Sequence, residues 1–293
     1  MGNVEIRPMT LADVDATLAV QLDAFTDLDR RQGGEPTTIT DVHRQRGRRR
    51  HEHFVTHDPE GSFVATVDDR VIGCAMALRR EGLWGLSLLA VDPASQSAGA
   101  GRKLLDASLT YADGCDRAVI LSSTDPRAIR AYATSGFELF PQVSASGKPA
   151  LDARPARDQT VRAGAVDDIP FLDEIDRAVR GSGRGRDHEV IGGIGATLFL
   201  VDDGPARGYA YVRDGDVYLL AATDDATATT LLWHCFEFAA DSNHKVSVEH
   251  MTSEQQWAIE ACFTARLKVA PNGPVFWRGI RPPRSYLPSG AFL

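Results

Sequence analysis

The alternation of apolar and polar residues is clearest where a strand, a turn of small residues and a helix follow one another. Residues 83–91 (LWGLSLLAV) are mainly apolar and long enough for a buried β-strand. Pro93 ends this strand, because proline cannot donate to a sheet ladder. From Arg102 to Ala112 apolar residues recur every three or four positions, which predicts an amphipathic helix.

The rest of the first half shows the same kinds of pattern. They predict a first strand, a helix, a β-hairpin, a further buried strand, a second helix and a closing strand. The first strand is expected at 4–8, the helix from residue 11 and the β-hairpin at 62–67 and 71–78. The buried strand is expected at 118–121, the second helix from residue 126 and the closing strand from residue 137.

Residues 41–53 form a strongly basic segment with five arginines and three histidines. A solvated helix face is the simpler interpretation of such a charge run. The alternative is a lip of a binding site that steers an anionic ligand.

Residues 144–159 are rich in small residues and proline and have no apolar periodicity, which predicts a linker. Beyond it the chain repeats itself, since Arg162 and Asp168 match Arg7 and Asp13 at one offset (162 − 7 = 168 − 13 = 155). Such self-similarity suggests duplication of one unit. The order continues with strands at 197–201, 208–212, 217–221, 246–249 and 274–277 and helices at 226–240 and 253–267.

Composition agrees with a two-domain globular protein. At 293 residues the chain is long enough for about two domains. The net charge of −8 argues against a general nucleic-acid or membrane-surface role. The four cysteines lack metal or redox spacing, so we expect each to pack as a small apolar residue in a reducing cytosol. No signal peptide or membrane-length apolar run is visible, which favours a cytoplasmic protein.

The turn between the central strand and helix, residues 96–101 (QSAGAG), has the features of a phosphate site. Free N–H groups point outward together at a helix N-terminus, where the helix dipole favours an anion. Gly99 and Gly101 allow unusual dihedrals and a close approach of the backbone to a ligand. The spacing fits neither a P-loop nor a dinucleotide-binding fold.

This stretch resembles the acetyl-CoA site of the GNAT superfamily of N-acetyltransferases. The family signature, Val-x-Pro and then Gln/Arg-x-x-Gly-x-Gly/Ala, appears at residues 91–93 and 96–101. A second family block, Asn-x-x-Ala-x-x-x-Tyr-x-x-x-Gly-Phe, appears at residues 125–137 with Asp125 in the place of Asn. Two blocks in the right order and separation are far more specific than either block alone.

The resemblance implies a fold of the α/β (α+β) class. It would consist of two tandem acetyltransferase-type domains, each a mixed, mostly antiparallel sheet flanked by helices. The expected boundaries are an N-terminal acetyl-CoA-binding domain at 1–145, a linker at 146–159 and a degenerate C-terminal copy at 160–293.

The resemblance also implies how acetyl-CoA would be held. The end of the central strand would line the pantetheine arm and offer N–H groups to the thioester carbonyl, an oxyanion-type role. The following turn and the first helical residues would hold the pyrophosphate. The expected binding residues are Leu89, Ala90, Val91, Gln96, Ser97, Ala98, Gly99, Ala100, Gly101, Arg102 and Asp125.

The catalytic residues of the family are matched less completely than its binding residues. Tyr132 matches the family tyrosine that lies near the thioester sulfur and often serves as general acid, and its alternative role is packing in the core. Relatives carry a glutamate base where this chain has Leu83 and Ile120. The amine could lose its proton to solvent, or a substitute base could act directly or through water. Candidate substitutes are Glu81, Asp23, Ser122 and a histidine between residues 51 and 57.

The second half lacks the phosphate turn. Residues 221–229 (AATDDATAT) contain no glycine, and Asp224 and Asp225 would oppose an anion and cap the following helix themselves. The apolar ending, residues 281–293, is expected to dock, with the first half as one candidate surface.

The sequence therefore predicts a cytoplasmic, acetyl-CoA-dependent N-acetyltransferase with its site in the N-terminal half. The acceptor would be an amine of a small molecule or peptide, with no metal, nucleic-acid or membrane partner and either a monomeric or a homodimeric state. Two alternatives stay open: a CoA-binding sensor or interaction module without turnover, and an O-acyltransferase on the same fold.

Overall fold

A computed structural model describes residues 3–33, 38–96, 99–156 and 159–293. Contacts within the chain divide it into two compact units, Met1–Val119 and Ile120–Leu293. Within the described ranges, no helix has the length and apolar character needed to cross a membrane.

The first unit is an antiparallel ladder flanked by three helices. Strands β1 to β4 pair in chain order, each antiparallel to its neighbour, and α1 and α3 both pack on β3. The strand β5 contains the boundary between the two units. The elements are β1 (Glu5–Pro8), α1 (Val14–Arg31), α2 (Asp41–His57), β2 (Ser62–Val67), β3 (Arg70–Arg80), β4 (Leu83–Val91), α3 (Ala100–Thr110) and β5 (Arg117–Leu121).

The second unit is a mixed sheet with helices. Its strands follow the order β12-β6-β11-β10-β9-β8-β7, all neighbours are antiparallel except β10 and β11, and β13 pairs with β10. The elements are α4 (Pro126–Ala133), β6 (Glu138–Gly147), β7 (Arg162–Ala163), α5 (Ile169–Arg180), α6 (Asp187–Gly193), β8 (Thr197–Asp203), β9 (Ala206–Arg213), β10 (Asp216–Ala222), α7 (Asp225–Asp241), β11 (Val246–Met251), α8 (Gln256–Thr264), β12 (Lys268–Arg278) and β13 (Tyr286–Leu287). The predicted class, a mostly antiparallel α/β fold, is confirmed.

Strand β6 lies between β11 and β12 and pairs with both. Its last residues, 144–147, carry the small side chains that read as linker in the sequence. Ladder hydrogen bonds join backbone groups, so a strand held on both sides does not need large apolar side chains. The predicted division into two domains, with a linker at residues 146–159, stays a prediction. The boundary at Val119 separates two compact units and does not test where a duplicated domain begins.

The predicted repeat has a structural counterpart at the start of each half. Arg7 forms a bidentate pair with Asp13, at 2.7 and 2.8 Å. Arg162 forms the same pair with Asp168, at 2.7 and 3.1 Å. In both copies the aspartate also accepts a backbone N–H three residues earlier, at 2.8 Å, and the arginine lowers the pKa of that carboxyl.

The same offset relates one residue of each of two further contacts that no sequence pattern indicated. On α1, Gln21 lies 2.8 Å (Oε1 to Nε2) from His51 of α2. On α5, Asp176, which is 155 positions after Gln21, lies 3.1 Å (Oδ2 to Nε2) from His188 of α6. The two histidines lie 137 positions apart (188 − 51), so only the α1 and α5 partners obey the offset, but a histidine of the next helix contacts the matched position in both halves.

Three of the four cysteines, Cys74, Cys235 and Cys262, are buried and free, as expected for small apolar residues. Burial raises the pKa of each of these thiols to about 12. A thiol that keeps its proton is neither a nucleophile nor a metal ligand near neutral pH.

Candidate active site

The end of β4 leads into the predicted phosphate turn. Asp92 caps a short 3₁₀ turn, Pro93–Ser95, by accepting a hydrogen bond from the N–H of Ala94 at 2.9 Å. Helix α3 begins at Ala100, two residues earlier than the sequence pattern placed it. Ser97 and Ala98, both expected to bind the pyrophosphate, lie outside the described residues.

Gly99 is the residue before the first turn of α3, and its φ of +78° lies in the left-handed region. Glycine is favoured there because other L-residues are strained at such angles. No side chain of the described residues caps this helix. Its first N–H groups have no partner within the helix itself, which is the condition for binding an anion.

Gly101 has a different reason to be glycine. A Cβ built on it would lie 3.6 Å from Cγ2 of Val91, an ordinary contact, and its backbone is helical. The folded chain therefore has room for a larger residue at position 101. The absence of a side chain leaves the outer face of the first turn open to a ligand.

The remaining predicted residues of this turn are placed as follows. Gln96 donates from Nε2 to the carbonyl of Val91 at 3.4 Å. Arg102 is exposed and pairs with Asp106 one turn later, at 2.9 Å. An exposed pair of this kind is worth little, so the Arg102 guanidinium can exchange this partner for a phosphate at small cost.

Strand β4 contains a β-bulge that sequence reasoning missed. Leu86 pairs with Ala77 and Leu88 pairs with Met76, so the register shifts by one residue at Ser87. The guanidinium of Arg50 on α2 donates from one nitrogen to the Ser87 carbonyl at 2.5 Å and to its Oγ at 2.8 Å. A continuous apolar run carries no sign of an extra residue, so only pairing could show it.

Tyr132 and Asp125 both belong to α4 of the second unit. Asp125 caps α4 by accepting from the N–H of Arg127 at 2.9 Å and pairs with the Arg127 side chain at 2.6 Å. Tyr132 is 6% exposed and packs edge-on against Phe276, with 5.6 Å between ring centroids. Burial, assisted by the Asp125 charge, raises the pKa of the phenol, which therefore keeps its proton near neutral pH.

Two of the candidate substitute bases, His51 and Glu81, do not suit the role. His51 is buried between Thr17 Oγ1 at 3.0 Å and Gln21 Oε1 at 2.8 Å, and burial lowers its pKa to about 3. A base that weak cannot deprotonate an amine near neutral pH. Glu81 lies in the turn before β4, eight positions before Leu89, which is roughly 25 Å of extended chain.

The N-terminus of α7, the counterpart of α3, is already occupied. Asp224 accepts from the N–H of Thr227 at 2.8 Å, which confirms the predicted cap. Asp225 does not cap the helix, and its carboxylate instead accepts from Arg284 Nε at 2.8 Å and from Ser285 Oγ at 2.7 Å. Two carboxylates and a filled cap leave no anion site there.

The chain's own ending also occupies the strand that corresponds to β4. Strand β13 pairs antiparallel with β10 through Leu220 and Ala221, and Ala222 donates its N–H to the Ser285 carbonyl at 3.0 Å. These β10 residues correspond to 89–91, where the first half is expected to line the pantetheine arm. The predicted docking of the ending is confirmed, and its place is β10 within the second unit.

A buried polar cluster lies under this ending. Asp176 accepts from Tyr209 Oη at 2.7 Å and lies 3.2 Å from Arg184 Nε and 3.1 Å from His188 Nε2. Asp173, Asp176 and His188 are close enough together to hold a metal ion. The fully buried cation of Arg184 already compensates Asp176, so a divalent ion would meet like charge.

The chain is thus an α/β protein with a mostly antiparallel sheet, in which a left-handed glycine precedes helix α3 and no described side chain caps that helix. Residues 22–137 match the acetyltransferase (GNAT) family. The chain thus carries an acetyltransferase domain of the GNAT family. No curated protein matches the chain.

Solved structures extend the fold similarity beyond that domain. A Pyrococcus horikoshii protein, whose acetyltransferase assignment is provisional, is 18% identical with a TM-score of 0.75, covering 98% of this chain and 95% of its own. A GCN5-related N-acetyltransferase from Sphaerobacter thermophilus is 14% identical with a TM-score of 0.56, at 94% and 95% coverage. A tandem GNAT protein from the clavulanic acid biosynthesis pathway is 12% identical with a TM-score of 0.57, at 95% and 99% coverage. At these identities the likeness concerns the fold.

Proposed function

We propose that this protein is an acetyl-CoA-dependent N-acetyltransferase whose donor site lies in the N-terminal half. The observation that carries the proposal is the N-terminus of α3, which follows the left-handed Gly99 in the connection after β4 and which no described side chain caps. A diphosphate there would be held by first-turn N–H groups and the helix dipole, with Arg102 adding positive charge.

Each remaining group has a part in the transfer. The N–H groups of Leu89 and Val91, which point away from β3, would polarise the thioester carbonyl and stabilise the negative charge that develops on its oxygen, while Ala90 would line the pantetheine arm. The amine nitrogen would attack that carbon and break the C–S bond. Tyr132, kept protonated by its raised pKa, would give its proton to the leaving thiolate, and the proton that the attacking nitrogen then loses would pass through water to restore the phenol.

The amine must arrive neutral, and two of the candidate bases, His51 and Glu81, do not suit the role. His51 stays neutral and occupied, and Glu81 lies at the far end of β4. We infer that the acceptor loses its proton to solvent, directly or through bound water. The acceptor would be an amine of a small molecule or peptide, and the setting would be cytoplasmic.

The rival function is a CoA-binding sensor without turnover, and the unsuitability of His51 and Glu81 as bases favours it. A thiol-release assay separates the two. The full chain is incubated with acetyl-CoA and a panel of amino acids, polyamines, amino sugars and short peptides, with matched alcohols as acceptors.

We expect free CoA to appear only with a subset of the amines. Tight acetyl-CoA binding without acceptor-dependent release would establish the sensor instead. Release with alcohols alone would establish an O-acyltransferase.

A further inference from the structure

The bulge at Ser87 determines how the last residues of β4 are presented. A bulge inserts one residue into a strand and shifts everything beyond it by one position. Because side chains and N–H groups alternate along a strand, a one-residue slip would turn residues 88–91 to the opposite directions. Those residues include Leu89 and Val91, the proposed donors to the carbonyl, whose N–H groups point away from β3.

Arg50 holds this bulge from another element. Its guanidinium reaches from α2 to both acceptors of Ser87, the backbone carbonyl at 2.5 Å and Oγ at 2.8 Å. Ser87 is only 7% exposed, so these bonds are shielded from competing water. A charged donor makes stronger hydrogen bonds than a neutral one, and the fork of arginine allows one nitrogen to serve two acceptors.

The positive charge of Arg50 also acts on strands β3 and β4. Cys74 on β3 pairs with Ala90 on β4, and its thiol is completely buried. Burial raises the pKa of that thiol, and the charge of Arg50 opposes the rise. The cation is therefore felt at the strand pair that contains Ala90.

We propose that Arg50 is a positioning residue for acetyl transfer: by holding Ser87 it fixes the β4 bulge, and with it the direction of the Leu89 and Val91 N–H groups toward the thioester carbonyl. The inference rests on the proposed function, since it assumes that acetyl-CoA lies along β4. It assigns a structural task to one arginine of the basic segment, beyond a solvated face or general steering.

Infrared spectroscopy of acetyl-CoA labelled with ¹³C at the thioester carbonyl tests this proposal without an acceptor. In the wild-type chain the bound carbonyl should absorb at a lower frequency than in water, because N–H donors polarise it. In Arg50→Met the frequency should return toward the value in water while the acetyl-CoA Kd stays within about twofold, since the pyrophosphate site is untouched. With a reactive amine, kcat should fall about tenfold or more, with KM nearly unchanged.

Arg44→Met on the same helix is the matched control, because Arg44 is exposed and should leave the carbonyl frequency unchanged. If Arg50→Met fails to fold, Arg50→Lys, which keeps a charged donor, should give a partial shift. An unchanged frequency in a folded Arg50→Met or Arg50→Lys chain that binds acetyl-CoA overturns the inference. Failure of the wild-type chain to bind acetyl-CoA would instead overturn the proposed function.

Discussion

Replacing Gly101 with aspartate is expected to weaken CoA binding by about a hundredfold or more. A new carboxylate about 6 Å from one phosphate charge costs about 3 kcal/mol at an effective dielectric near 20. The fold should survive, because the Cβ makes only an ordinary 3.6 Å contact and an acidic residue in the first turn stabilises a helix. Calorimetric titration with CoA measures the loss, and thermal unfolding should show an unchanged or higher Tm.

Gly101→Asn is the control for size, because asparagine has nearly the same shape without the charge. It should bind CoA at least about tenfold more tightly than Gly101→Asp, since only the charge differs. Gly99→Asp is less informative, because the left-handed φ of +78° adds backbone strain to the charge effect. CoA affinity unchanged in a folded Gly101→Asp chain would rule out the turn as the pyrophosphate site.

Tyr132→Phe is expected to lower kcat by about tenfold to a thousandfold. General acid catalysis usually contributes a factor of about 10²–10⁴. CoA affinity and stability should hardly change, because phenylalanine keeps the edge-on packing on Phe276 and the phenol makes no hydrogen bond to any described residue. The raised pKa also predicts that wild-type kcat shows no loss from Tyr132 ionisation below pH 10. Steady-state kinetics between pH 6 and about pH 10 measure both effects.

Tyr218→Phe is the matched control for this substitution. Tyr218 is also a buried tyrosine and its recorded contact is the guanidinium of Arg213 over its ring, which a phenylalanine preserves. It should turn over at the wild-type rate. Equal rates for Tyr132→Phe and the wild-type chain would reduce Tyr132 to a packing residue.

The sequence was sufficient wherever a local pattern fixed the structure. Residues 83–91 form the predicted strand, because their apolar run and the following proline act locally. Gly99 adopts the left-handed conformation that its place before a helix suggested. The Arg7–Asp13 spacing recurs as Arg162–Asp168, since a bidentate pair across a tight turn depends on six residues alone.

Features that depend on contacts between residues far apart in the chain could not be predicted from a local sequence pattern. Ser87 looks like one more residue of an apolar strand, and only the register against β3 identifies the bulge. Strand β13 has two residues, and its pairing with β10 joins segments about sixty positions apart, too far for any local pattern. The arrangement of the second half's ending therefore emerged only from the structure.

The central claim is that the N-terminal half alone holds the acetyl donor. In the second half, Asp224 fills the cap of α7, Arg284 and Ser285 hold Asp225, and β13 occupies β10. Calorimetric titration of the full chain with acetyl-CoA should therefore give one equivalent, and Gly101→Asp should remove it. Two equivalents per chain, or one equivalent that persists in Gly101→Asp, would contradict this account.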